Sequence, residues 1–298
     1  MIHGGGHVML SRKDIRPNQT EMLLAAGFLP VSIDYRLCPE VSLLEGPMED
    51  SRDALKWARQ VLPGLALQRP DIKPDGDHVV SVGWSTGGHL AMTLAWTSAE
   101  VDIRPPEAIL SFYSPTDYED SFWSQPNLPF GHPALSSDTY DQWEAIQDKP
   151  ITSYNPPSSL GGWMNPSDAR SRIALHMNWT GQTIPVLLSS QGPNQRTQMS
   201  KLEPPSIEAI QAISPLAQIR SRKYQSPTFF IHGTRDDLIP IAQAQRTFDA
   251  LSAAGVDAEI RVLDAVHLFD IYPDFKQDQK AFQAVQDGYA FLKSHVKP

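Results

Sequence analysis

Short apolar runs recur along this chain, separated by longer stretches in which apolar residues fall at helical spacing. His78 to Gly83, Ala108 to Phe112 and Pro227 to His232 are brief and nearly continuous, the pattern of strands covered on both faces. Ala258 to Leu263 alternates, as a strand with one covered face does, and Phe28 to Tyr35 reads as a further short strand. Between them lie helical patterns. Arg12 to Ala26 is part helix, interrupted at Pro17. After Gly46-Pro47, residues Ala54, Leu55, Trp57, Ala58, Val61 and Leu62 repeat at helical spacing until Pro63-Gly64. Gly88 to Ala95, Ile241 to Ala254 (ending at Gly255) and Phe275 to His295 are the other helices. Strands alternating with helices predict an α/β fold built of βα units around a mostly parallel sheet.

One region breaks this rhythm. Between Asp117 and Ser214 the chain is rich in Pro, Ser, Trp and Tyr and holds Trp123, Trp143, Trp163 and Trp179, four of the seven tryptophans. So aromatic a stretch is not of disordered composition, and long irregular segments in compact domains are commonly lids. The expectation is an α/β core of residues 1–116 and 215–298 with a lid insertion over 117–214. Short helices are expected around Tyr140–Ile146 and Ser167–Met177, with the tryptophans lining a ligand pocket, packing a small cap core, or both.

The candidate chemistry starts at Gly83-Trp84-Ser85-Thr86-Gly87, which has a strand before it and a helix after it. That is the context of a nucleophile elbow, a sharp turn that exposes a serine hydroxyl above the sheet edge. A serine needs a base, usually a histidine oriented by a carboxylate. His267 lies in a loop just past a predicted strand, at the sheet end where catalytic groups gather. His232 ends a strand and is read as shaping the turn at Gly233, and His89 as a packed neighbour of the elbow. The acid should follow the strand ending at His232, where Asp236 and Asp237 both qualify; the other of the two would cap the next helix. Donors for an oxyanion come from the N–H of Thr86 and from the glycine loop His3-Gly4-Gly5-Gly6, whose Gly4 and Gly5 amides can approach a substrate closely.

Charge and cysteine content narrow the field. The net charge is −9, with no basic stripe, so nothing points to nucleic acid. Cys38 is the only cysteine and reads as a small buried residue. No apolar run approaches membrane-spanning length, and Met1 to Gly6 lacks the regions of a signal peptide. A cytoplasmic protein without a membrane partner is expected. No histidine pair has metal-ligand spacing, and neither a metal nor a cofactor is expected.

These residues resemble the hormone-sensitive-lipase-like branch of the α/β-hydrolases. The resemblance rests on His3-Gly4-Gly5-Gly6, on Asp34-Tyr35-Arg36-Leu37-Cys38-Pro39-Glu40, on the Ser85 elbow, and on the acid and histidine loops. It implies an α/β-hydrolase fold and a serine hydrolase. The family acid sits in a His-Gly-x-x-Asp-x-x-[Val/Ile]-Pro pattern, which falls on Asp236, Ile239 and Pro240 and selects Asp236 over Asp237. The Asp-Tyr-Arg segment looks like the family's support for the oxyanion loop. Only Met1-Ile2 precede that loop, so the N-terminal strands should be missing or shortened and the loop poorly anchored.

A narrower resemblance runs to thioesterase domains of fungal non-reducing polyketide synthases and to free-standing fungal thiohydrolases. It implies release of a polyketide acyl chain from an acyl carrier protein. Docking such an acidic partner would need a local basic patch, for which Arg170, Arg172, Arg196 and Lys201 are the candidates. A general carboxylesterase or deacetylase would use the same machinery, and a silent small-molecule binder of this fold would typically lack the histidine.

Overall fold

In the computed structural model, residues 1–14, 16–128, 146–147, 149–156, 165–190, 202–271 and 273–296 are described. Their centre is a parallel sheet of four strands in sequence order: β1 (Ser81–Trp84), β2 (Ile109–Phe112), β3 (Thr228–Gly233) and β4 (Ala258–Leu263). Ile2 extends the sheet beyond β1 by single bridges to Gly83 and Ile33. Eight helices bear on the argument: α1 (Pro17–Ala25), α2 (Glu49–Gln60), α3 (Thr86–Thr97), α4 (Ala169–Thr180), α5 (Thr183–Leu188), α7 (Pro215–Arg220), α8 (Ile241–Ala254) and α9 (Gln279–His295), with α6 (Ile207–Ile213) short between α5 and α7.

The strand pleat sorts the core into two layers. Leu110, Phe112, Phe229 and Ile231 point to one face, against α9 through Ala281, Val285, Tyr289 and Leu292 and against Leu23 of α1. Ile109 and Phe230 point to the other, against Leu90 and Ala91 of α3 and Ala244 and Leu251 of α8. Every residue of α3 is buried, which places the elbow helix inside the protein rather than on its surface.

Several expectations shift by physical causes. The proposed strand Phe28–Tyr35 is reduced to the bridge at Ile33, because among the described residues its only ladder neighbour is Met1–Ile2 and Pro30 has no N–H to give. Pro17 does not interrupt a helix; it opens α1 at the first turn, where a missing N–H costs nothing. Gly46-Pro47 lies in a π turn, Leu44–Met48, ahead of α2. Ile241–Ala254 is helical and stops at Gly255 in the left-handed conformation (φ 75°). Its N-cap is Pro240, without a side-chain cap, so neither Asp236 nor Asp237 caps it. The helix expected at Ser167–Met177 appears as α4, capped by Asp168 on Ser171 N. The one expected at Tyr140–Ile146 lies outside the described residues apart from Ile146, as do Trp143, Trp163, Arg196 and Lys201.

Arg170 is not part of a basic surface. It is buried, with Nη2 donating to Glu40 Oε2 at 2.7 Å and to the Cys38 carbonyl at 2.7 Å, and Nε donating to the Val8 carbonyl at 2.5 Å. It therefore ties α4 to the segment after Tyr35 and to the glycine loop. Arg172 donates to the Pro166 carbonyl at 3.2 Å. Cys38 is fully buried, and that burial pushes its thiol well above the ordinary range. Among the described residues no helix is long and apolar enough to cross a membrane.

Candidate active site

The elbow is shaped by what its glycines leave out. A Cβ on Gly83 would fall 2.1 Å from the Gly87 carbonyl oxygen, and one on Gly87 would fall 2.2 Å from that of Ile2. Strand β1, helix α3 and the chain entering the glycine loop can meet only because both positions lack a side chain. Ser85 itself sits at φ 53° and ψ −128°, a conformation that L-residues avoid. Its N–H donates to the Phe112 carbonyl at 2.9 Å, and α3 begins one residue later. The strain is held by packing on both sides.

Three loops bring their side chains together. His267 Nε2 lies 3.1 Å from Ser85 Oγ, and His267 Nδ1 lies 2.7 Å from Asp236 Oδ2. The acid and histidine loops are joined by backbone bonds from Thr234 N to Leu263 O (2.8 Å) and from Arg235 N to Ala265 O (3.0 Å). Asp236 Oδ1 accepts from the N–H groups of Leu238 (3.0 Å) and Ile239 (2.8 Å), so the carboxylate is fixed at both oxygens. Asp237 is exposed, and its carbonyl accepts from Asn127 Nδ2 at 3.1 Å.

His232 does more than shape a turn. Its Nε2 donates to the Ile239 carbonyl at 2.9 Å and lies 3.1 Å from Asp236 Oδ2. Burial works against charge on Asp236, but the His267 charge and hydrogen bonds from His232 and His267 outweigh it and hold the carboxyl below the usual range. An ionised Asp236 accepts the Nδ1–H of His267, which leaves Nε2 free to accept the Ser85 proton. In the sequence His232 is signalled as the first residue of the His-Gly-x-x-Asp pattern that selects Asp236.

The glycine loop approaches from the other side. A Cβ on Gly4 would lie 3.0 Å from Ser85 Cβ, and Gly5 adopts φ 100°. Among the described residues, no protein acceptor takes the N–H of Gly4, Gly5 or Thr86. The loop is well anchored, against the expectation from its short lead-in. Ile2 N donates to Val82 O at 2.8 Å, Cys38 N donates to His7 O at 2.8 Å, and the Tyr35 hydroxyl reaches both the His3 and Gly4 carbonyls at 3.0 Å. The Tyr35 ring stacks on His3 at 4.2 Å. Burial pushes His3 and His89 down to about 4, so both imidazoles are neutral at neutral pH. His89 Nε2–H donates to the Ile213 carbonyl at 2.7 Å, beside the elbow.

A cavity of about 240 Å³ opens over Ser85 and His267. Met9, Leu10, Trp123, Ala174, Met177 and Leu187 supply apolar wall, so α4 and α5 face the serine across it. Trp123 is both pocket wall and buried packing, stacked on Tyr118 at 5.2 Å. The assembly holds a hydroxyl, a base aimed at it, a carboxylate behind the base and vacant N–H donors, the parts needed to move an acyl group through a tetrahedral oxyanion.

Comparison with known proteins agrees with this geometry. The alpha/beta hydrolase fold family matches residues 1–173, and the prolyl oligopeptidase family matches residues 189–298. The non-reducing polyketide synthase adrD of Penicillium roqueforti is 63% identical over the whole chain, which corresponds to 12% of that protein. The non-reducing polyketide synthase ausA of Emericella nidulans is 58% identical over 99% of the chain and 12% of its own length. The chain thus spans about an eighth of these curated relatives. Among solved structures, an alpha/beta hydrolase superfamily protein from Enterococcus faecalis aligns with TM-score 0.62 at 15% identity, over 98% of this chain and 88% of that one. A thermostable esterase from Pseudomonas putida aligns with TM-score 0.60 at 18% identity, over 100% and 73%. At such identities they speak for the fold, and with a family match across more than half its length, the chain belongs to the alpha/beta hydrolase fold family.

Proposed function

We propose that Ser85, His267 and Asp236 are a catalytic triad, that Gly4, Gly5 and Thr86 donate the oxyanion-hole N–H groups, and that the chain hydrolyses an acyl thioester. The observation that carries this is the unbroken relay from Ser85 Oγ through His267 to Asp236, at 3.1 and 2.7 Å. His267 Nε2 takes the Ser85 proton as Oγ attacks the acyl carbon. The oxyanion accepts from Gly4, Gly5 and Thr86. The tetrahedral centre collapses, the C–S bond breaks, and the leaving thiolate takes the proton from Nε2. Water then gives its proton to Nε2 and attacks the acyl-enzyme, and a second collapse frees the carboxylic acid and reprotonates Ser85. Asp236 keeps the imidazole in the productive tautomer throughout. A silent binding role has no use for a base so aligned.

The substrate reading rests on the relatives, which are non-reducing polyketide synthases at up to 63% identity. It assigns the chain to release of a polyketide acyl group from an acyl carrier protein, in a cytoplasmic setting, with the segment 117–214 as the lid over the acyl pocket. The test is intact-mass spectrometry of an acylated carrier protein before and after incubation with the protein and with Ser85→Ala, beside a short p-nitrophenyl ester. Loss of the acyl mass with wild type alone supports the reading. Turnover of the ester with an untouched carrier thioester replaces it with a general carboxylesterase.

A further inference from the structure

A second buried polar assembly lies beside the triad, centred on Asp270, three residues past His267; Asp270 and Arg16 border the same cavity as Ser85. Its side chain is fully buried and has no role in the acyl-transfer steps. Trp84 Nε1 donates to Oδ2 at 2.9 Å, Gln19 Nε2 also donates to Oδ2, and the Tyr113 hydroxyl donates to Oδ1. Arg16 Nε lies 3.5 Å from Oδ2, and its Nη2 donates to the Tyr113 hydroxyl at 3.2 Å. The Arg16 guanidinium lies over the Trp84 ring, 5.2 Å from its centroid. Tyr289 of α9 closes the set by donating to Gln19 Oε1 at 2.8 Å.

The members come from α1 and its approach, from β1, from the end of β2, from α9 and from the histidine loop. Trp84 immediately precedes Ser85, and the Tyr113 ring packs edge-on against the His267 imidazole with centroids 4.6 Å apart. Three residues here hold positive φ without being glycine: Ser85 at 53°, Tyr113 at 38° and Leu268 at 62°. Each conformation costs free energy and persists only where the surroundings over-determine it. A carboxylate buried with an arginine and three neutral donors is costly to strip of its partners, and so makes a stiff joint.

We propose that Asp270 is a positioning residue for the hydrolytic reaction, clamping the His267 loop to the residue before Ser85 and holding Tyr113 against the imidazole. The role rests on the triad reading above. It fixes the distance from base to nucleophile, which the rate senses steeply. Asp270 and Arg16 also border the cavity over Ser85, whereas Tyr113 does not, so Tyr113 reports on positioning apart from substrate contact.

The experiment compares Asp270→Asn and Tyr113→Phe with wild type by the rate at which a fluorophosphonate labels Ser85, by kcat and KM on an acyl thioester, and by thermal melting. Tyr113→Phe keeps the ring and loses only the hydroxyl, so it remains informative if Asp270→Asn does not fold. Both variants are expected to slow labelling and kcat by about tenfold to 100-fold, the scale of a slightly misplaced reacting pair, and Tyr113→Phe, which is off the cavity lining, to do so with KM unchanged. Labelling and kcat at the wild-type level in folded Tyr113→Phe, whatever its melting temperature, would reduce the assembly to scaffolding and overturn the proposal. A folded wild-type chain that takes no label overturns the triad reading itself, and the positioning role with it.

Discussion

His232 and His267 reach the same oxygen of Asp236, from 3.1 and 2.7 Å. The first imidazole steadies the carboxylate that orients the second. His232→Phe removes the steadying N–H while filling the space. A hydrogen bond to a charged group is worth about 1.5–3 kcal/mol, and a nearby N–H shared with the Ile239 carbonyl supplies part of that, so kcat should fall by up to about tenfold, and steady-state kinetics on any accepted ester will read it.

The depressed pKa of Asp236 makes a prediction about acid stability. A carboxyl whose folded pKa lies below its unfolded value stabilises the protein fully above the unfolded pKa of about 3.9, and that contribution is lost as pH falls through the folded pKa. Urea midpoints measured from neutral pH into the acid range should therefore fall more steeply for wild type than for Asp236→Asn once the pH drops below about 4.

Members of a relay fail together. Ser85→Ala and His267→Ala should each lower kcat by about 10⁴–10⁶-fold, and the double variant should be scarcely worse than either. Additive losses would show that the two side chains act in separate steps.

The Tyr35 hydroxyl is the crossbar of the glycine loop. Tyr35→Phe leaves the His3 carbonyl without that donor, while the Gly4 carbonyl keeps the His3 ring nitrogen at 2.8 Å. Stability should fall by about 1–3 kcal/mol. The loss in kcat should be smaller than the roughly 10²-fold of an outright missing oxyanion donor. Denaturant melts and kinetics on one preparation separate the two effects.

Glu40 and Arg170 form a buried pair, and removing one partner strands the other's charge. Arg170→Ala should cost about 3–5 kcal/mol, whereas Glu40→Leu with Arg170→Met should cost much less. Urea denaturation of the single and double variants decides it.

The strands β2 to β4 and the helices α3, α8 and α9 were legible because their burial follows from local apolar spacing. So was the convergence of Ser85, His267 and Asp236, from their order along the chain. The strand expected at Phe28–Tyr35 was misread because a ladder depends on a neighbour, and Ile2 offers one rung. Arg170 looked like surface charge because its partner Glu40 lies 130 residues away. The Asp270 assembly was invisible for the same reason: Arg16, Gln19, Trp84 and Tyr113 share no spacing rule and meet only in the fold.

The close approach of Gly87 to the Ile2 and His3 carbonyls, 2.2 and 2.4 Å from where a Cβ would stand, has a consequence for altering this protein. Ser85 and the glycine loop form one body that cannot be pried apart to admit a larger group. The opposite wall is side chain on helix, at Ala174, Met177 and Leu187. Under the proposed function, selection for new acyl groups has a fixed jaw and an adjustable one, and changes of substrate should accumulate on α4 and α5.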